Sequence, residues 1–136
     1  MHKVFIDTNI LIYCIDSHNP KKRDQCRRLL KSLQDTYAGV ISTQVMQEFY
    51  VAATKKMGAD PLQIKNILRS FEQFETVTVS PEIIQEAIDC SILQKLSFWD
   101  ALIIASAESA KCQQIWTEDL NDGQTVRGVR IVNPLK

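Results

Sequence analysis

The stretch Lys3-Val4-Phe5-Ile6-Asp7-Thr8-Asn9-Ile10-Leu11-Ile12-Tyr13-Cys14-Ile15 decides how the chain is read. Lys3 to Ile6 is a short β-rich run, Ile10 to Ile15 is an apolar helical run, and the acid Asp7 stands where one gives way to the other. The same alternation continues along the chain. Compact Val- and Ile-rich runs fall at Gly39 to Ser42, Thr76 to Val79, Gln114 to Thr117 and Val129 to Val132. Between them, capping chemistry marks helix starts at Ser42 before Thr43-Gln44-Val45, at Asp60-Pro61, at Ser80-Pro81, and at Ser97 before Phe98-Trp99-Asp100. Strands alternating with helices predict an α/β fold with a mostly parallel sheet of about five strands, right-handed crossovers and helices on both faces. The helix from Pro81 gathers Ile84, Ala87, Ile88, Ser91 and Ile92 on one face, expected to cover the sheet. The helix from Phe98 is apolar over Ala101 to Ala105 and is expected to be buried.

Length and composition agree with this frame. The 136 residues, 45% of them apolar, suffice for one core without staples, and no linker or internal repeat divides them, so a single domain over residues 1–136 is expected. The apolar run before Asp7 is too short for a signal segment or a membrane span, so a cytoplasmic, non-membrane protein is expected. Cys14, Cys26, Cys90 and Cys112 are scattered with no C-x-x-C pair and read as reduced packing residues. Sixteen basic and 16 acidic side chains balance, which argues against a simple basic nucleic-acid footprint. Gathering four acids at one site, however, leaves 16 bases against 12 acids elsewhere.

Four acids occupy positions that such a fold brings to one edge of the sheet. Asp7 leaves the first strand, and Asp119 follows the Ile115-Trp116-Thr117 run. Glu48 lies in the helix after Ser42 among Val45, Met46, Phe49, Val51 and Ala52, and Asp100 lies in the first turn of another helix. In parallel sheets, sites form beyond the carboxyl ends of the strands. A carboxylate beside an apolar surface is costly unless it is paired or bound to metal, and no Lys or Arg lies close in sequence. An oxygen-only donor set selects a hard ion, Mg²⁺ with Mn²⁺ as substitute. Each acid also has a plain reading: Asp100 as half of a Ser97 capping box, Asp7 as a helix cap, Asp119 as turn chemistry ahead of Gly123, and Glu48 as a solvated helix position.

The blocks Val4-Phe5-Ile6-Asp7-Thr8-Asn9-Ile10-Leu11, Gln47-Glu48-Phe49-Tyr50, Phe98-Trp99-Asp100-Ala101-Leu102-Ile103 and Trp116-Thr117-Glu118-Asp119-Leu120, followed by Gly123 and Val132-Asn133-Pro134, appear in this order over nearly the whole chain. In them the sequence resembles the PIN-domain ribonucleases, and among those the VapC-like toxins of toxin–antitoxin pairs. The resemblance implies a PIN-like α/β/α sandwich and a Mg²⁺-dependent endoribonuclease. It maps Asp7, Glu48, Asp100 and Asp119 onto the family's acidic quartet, with Asp7 and Asp100 as principal metal ligands and Thr8, Asn9 and Thr117 as polar support. Glu118 and Asp122 are neighbouring acids, either of which is a candidate to share the role of Asp119. RNA as substrate, a small antitoxin as partner and a homodimer are further implications.

The basic run Pro20-Lys21-Lys22-Arg23-Asp24-Gln25-Cys26-Arg27-Arg28 reads as a solvated face or a phosphate contact. Trp99 and Trp116 read as core aromatics rather than base-stacking rings, and His2 and His18 as surface groups. A receiver-like phosphoacceptor module wants paired acids after one strand and a late Lys, and a haloacid-dehalogenase-type phosphatase wants a second Asp at position 9, where Asn9 stands. A PIN nuclease serving RNA processing without an antitoxin, or an inactive binding domain, keeps the fold and changes the role.

Overall fold

The computed structural model describes residues 2–136. In chain order the elements are β1 (His2–Ile6), α1 (Thr8–Tyr13), α2 (Pro20–Ser32), β2 (Tyr37–Ser42), α3 (Thr43–Val51), α4 (Pro61–Ser70), β3 (Glu75–Val77), α5 (Pro81–Gln94), α6 (Phe98–Ser109), β4 (Gln114–Trp116), β5 (Thr125–Val126) and β6 (Val129–Val132). A π-helical turn, Ala52–Lys56, extends α3, and a 3₁₀ turn, Phe71–Gln73, follows α4. The strands form one sheet in the order β3-β2-β1-β4-β6-β5, parallel throughout except for β5 against β6.

Five strands stand where the sequence puts them, although β3 begins and ends earlier than the Thr76 to Val79 run. The sixth, β5, was not expected. It is two residues long and reaches β6 through Arg127 and Gly128, whose φ values of +51° and +79° make a tight turn of the mirror-image kind that joins antiparallel strands. Arg127 tolerates this backbone while its guanidinium bridges Glu86 on α5 and Glu108 on α6.

The central strands are apolar on both faces because helices cover both: Val4, Phe5, Ile6, Val40, Ile41, Ile115 and Ile131 are all buried. The helix starts carry their expected caps. The Ser42, Asp60, Ser80 and Ser97 side chains accept from the backbone N–H three residues on. α6 is buried from Ala101 to Ala107, as its composition requires.

The expectation for α5 needs correction. Its inward residues are Ala87 and Cys90 with Ile83 packed beside them, while Ile84, Ile88 and Ile92 form a stripe at four-residue spacing that stays open to solvent. The helix packs chiefly on α6, and small residues permit that approach. All four cysteines are free thiols. No described helix is long and apolar enough to cross a membrane.

Candidate active site

The sheet order reverses at β1: β2 and β3 lie on one side of it, β4 and β6 on the other. That reversal leaves a crevice beyond the carboxyl ends of β1 and β4, the place where open parallel sheets hold ligands. A cleft of about 520 Å³ lies there, and Asp7, Glu48, Asp100 and Asp119 all line it. A larger groove, about 670 Å³, runs along α2, β2 and the 71–73 turn; its one acid, Glu75, pairs with Lys3 at 2.8 Å. It carries no comparable chemistry.

Asp7 is the deepest of the four acids. It is the N-cap of α1, with Oδ1 accepting from the Thr8 backbone N–H at 2.7 Å and Oδ2 accepting from the Thr117 hydroxyl at 2.8 Å. Its backbone N–H donates to the Trp116 carbonyl, which ties the β1 exit to the β4 exit. Capping and a place in the cleft are therefore not alternatives for this residue. Burial pushes its pKa up to about 6, the charges of Asp119 and Glu48 add to the rise, and the hydrogen bonds from Thr117 and Thr8 oppose it.

The other three acids are more open. Glu48 and Asp119 are exposed at the cleft rim and Asp100 is half-buried, so the cost of burying a charge falls most heavily on Asp7. The Thr8 hydroxyl donates to Glu48 Oε1 at 2.8 Å, linking α1 to α3. Asn9 Nδ2 donates to Asp119 Oδ2 at 2.8 Å, and the Asp119 N–H donates to the Thr117 hydroxyl oxygen at 3.1 Å. Burial and the charges of Asp100 and Glu118 raise the Asp119 pKa. Ser97 accepts from the Asp100 N–H at 3.1 Å, and the Asp100 carboxylate takes no part in that cap. It has no hydrogen-bond or ion-pair partner among the described residues and stands free in the cleft.

Thr8, Asn9 and Thr117 are thus the polar groups that hold Asp7, Glu48 and Asp119 in place. Glu118 and Asp122 are occupied elsewhere. Glu118 accepts from the Tyr13 hydroxyl and pairs with Lys22 at 2.8 Å; burial works against its charge, but these two partners hold its pKa below the usual range. Asp122 accepts from the Asn133 N–H at 2.8 Å and pairs with Lys136. Neither lines the cleft.

The basic run of α2 divides in the same way. Lys22 is used by Glu118, Arg23 by Asp24, and Arg27 by the Cys14 carbonyl, whereas Lys21, Arg28 and Lys31 stay exposed with no ion pair among the described residues. His2 and His18 lie at the surface.

None of the quartet is paired with a Lys, Arg or His among the described residues, so the cleft concentrates uncompensated negative charge. No three Asp, Glu, His or Cys side chains among the described residues close into a ready-made metal cage. The donor set nonetheless suits Mg²⁺ or Mn²⁺: every donor is an oxygen, and such ions keep several waters while resting on one or two carboxylates and a substrate phosphate. An open arrangement leaves room for those waters.

Three residues of the cleft escaped sequence reasoning in this role. α3 and its π turn carry Gln44, Glu48, Ala52 and Lys56 on one helical face, and Lys56 is the one cation lining the cleft among the described residues. The π turn, closed by the Met57 N–H on the Ala52 carbonyl, is not legible in Ala52-Ala53-Thr54-Lys55-Lys56. Gln44 is buried against the backbone of α6. Trp116 is core, as expected, but Trp99 is not: 62% of it is exposed at the cleft edge.

The profile of the PIN domain matches residues 4–122. No curated relative matches the chain. Among solved structures, the chain is similar to a toxin–antitoxin complex from Klebsiella pneumoniae, with 24% identity, 96% of this chain and 97% of the other covered, and a TM-score of 0.72. It is also similar to the sarcin-ricin-loop-cleaving toxin VapC20 of Mycobacterium tuberculosis, with 16% identity, 85% and 91% covered, and a TM-score of 0.71. A third match is VapBC2 from Rickettsia felis, bound to a DNA fragment from their promoter, with 17% identity, 95% and 96% covered, and a TM-score of 0.70.

Proposed function

Because this chain belongs to the PIN-domain family, we propose that it is a Mg²⁺-dependent endoribonuclease and the toxin of a toxin–antitoxin pair. The observation that carries the reading is the convergence of four carboxylates, none ion-paired among the described residues, on one cleft at the switch point of the sheet. Asp7 and Asp100 are the principal metal ligands, with Glu48 and Asp119 completing the site directly or through water. A divalent cation held on these carboxylates would lower the pKa of a water molecule, orient the scissile phosphate and neutralise charge on the leaving oxygen.

The protein's own residues do the rest. Thr117 and the Thr8 N–H fix both oxygens of Asp7, so its carboxylate meets a ligand in one orientation. The Thr8 hydroxyl and Asn9 do the same for Glu48 and Asp119. Asp119 and Glu48 lie at the solvent side, where either takes a proton from an attacking water. Water, not the RNA 2′-hydroxyl, is the nucleophile.

Toxin–antitoxin assemblies among the structural neighbours support the partner assignment. An antitoxin suited to this cleft inserts a cationic side chain among the four acids and so excludes metal and substrate. The resemblance to VapC-like toxins also supports a homodimer.

The test is cleavage of single-stranded RNA by the wild type and by Asp100→Asn. Cleavage by the wild type in Mg²⁺ or Mn²⁺, none in EDTA, and none by folded Asp100→Asn are expected. Full activity in EDTA would remove the metal from the mechanism.

A further inference from the structure

Trp99 and Lys56 are not explained by carboxylate chemistry. Trp99 immediately precedes Asp100 in the first turn of α6, and the residue stands 62% exposed at the cleft edge while Trp116 is buried. The ring is nevertheless held. Phe98 meets it edge-on, with centroids 5.1 Å apart and planes at 76°. At its backbone, Gln44 Nε2 donates to the Trp99 carbonyl at 3.2 Å. Gln44 is 4% exposed, and its Oε1 is buried without a hydrogen-bond partner among the described residues. A half-satisfied buried amide costs stability, and the one bond it makes anchors the backbone of Trp99. Lys56 lies on the α3 side of the same cleft, exposed and without an ion pair among the described residues.

We propose that Trp99 and Lys56 hold the single-stranded RNA across the cleft, one base stacking on the Trp99 indole and a phosphate beside the scissile one resting on Lys56 Nζ. This deepens the ribonuclease reading and rests on it. Four carboxylates repel a polyanion, so the strand needs attractive contacts close to the reacting phosphate that do not compete for the acids. A supported π face and a backbone cation on either side of a groove are the pair of contacts by which single strands are bound. A lysine serves as a point charge for a phosphate. Stacking requires an unpaired base, so base-paired RNA is excluded from the productive path. Since a ring face reads no base edge, preference among bases follows stacking strength.

The test uses the full chain and a 12-nucleotide single-stranded RNA. In Mg²⁺, Trp99→Ala is expected to raise KM about ten-fold with a smaller effect on kcat, and Trp99→Phe to recover most of the loss. Lys56→Gln is expected to raise KM and flatten its salt dependence, and Lys56→Arg to preserve both. A second readout needs no turnover: in an Asp7→Asn background, RNA quenches tryptophan emission, and the same protein carrying Trp99→Phe loses the response. The stacking proposal is overturned if Trp99→Ala leaves KM unchanged, or if labelled RNA binds by anisotropy while the emission does not move. It is equally overturned if Trp99→Ala weakens only a protein partner's binding, which would make the ring a docking residue. Quenching without any cleavage by the wild type would sink the nuclease reading and leave RNA stacking standing; cleavage with an unchanged Trp99→Ala KM would do the reverse.

Discussion

At the scale of single residues, Asp7 does two jobs that pull against each other. As an N-cap it supplies an acceptor to the Thr8 N–H, which an asparagine supplies equally well. As a buried acid among acids it resists ionisation, with a pKa near 6 where an unfolded aspartate has about 3.8. Between those two values the folded protein holds the proton and the unfolded chain does not. Stability therefore falls as pH rises from about 4 to 6 and, for this group, stays at its lower value above that. The loss is on the order of 1–3 kcal/mol at neutral pH. In metal-free buffer, Asp7→Asn is expected to gain on the wild type by that amount between pH 4 and pH 7, read from urea midpoints. Mg²⁺ is expected to restore the wild type through the binding term RT ln(1 + [L]/Kd) and to help the variant much less. A difference between the two proteins that does not change with pH would show that Asp7 ionises like a solvated carboxylate.

At the scale of elements, each acid is delivered by a start or an exit that local chemistry defines. Asp7 and Asp119 follow strands, while Glu48 and Asp100 ride on helices begun by Ser42 and Ser97. Ser97→Ala removes the acceptor for the Asp100 N–H and is expected to destabilise the fold by about 1 kcal/mol. It should also reduce cleavage, since it loosens the turn that presents Asp100. Unchanged melting with unchanged cleavage would show that the cap is dispensable. These elements were legible because a serine or Asp-Pro start and a Val/Ile run are local signals. The two-residue β5 was not, since its pairing depends on a turn with Arg127 at positive φ and on ion pairs from two distant helices. The buried face of α5 departs from its apolar stripe for a related reason: Ile84, Ile88 and Ile92 share a stripe, but small Ala87 and Cys90 let α6 come close, and closeness decides which side goes in. The acids of the site were visible as positions on a sheet edge. Lys56 was not, because the π turn that brings it to the cleft has no sequence mark, and the outward face of Trp99 has none either, since nothing local says that a ring faces out.

At the scale of the whole molecule, zero formal charge conceals a separation of charge. Among the described residues, acids without ion-pair partners gather in the cleft, and Lys21, Arg28 and Lys31, also without ion pairs, lie along α2. Two copies would present two such clefts to one strand of RNA, and a homodimer at micromolar concentration is expected by light scattering. A strictly monomeric species would remove the dimer from the proposed assembly. What we propose for the cleft is narrower than assembly: a divalent ion held on Asp7 and Asp100 would let it activate water against an RNA phosphodiester. Its most direct test is the chemistry of the cut ends. Single-stranded RNA is cleaved with Mg²⁺, and the product termini are resolved by phosphatase and ligase treatment. Water attack leaves a 5′-phosphate and a 3′-hydroxyl, and those ends are expected; a 2′,3′-cyclic phosphate with a 5′-hydroxyl would show attack by the 2′-hydroxyl and contradict the mechanism.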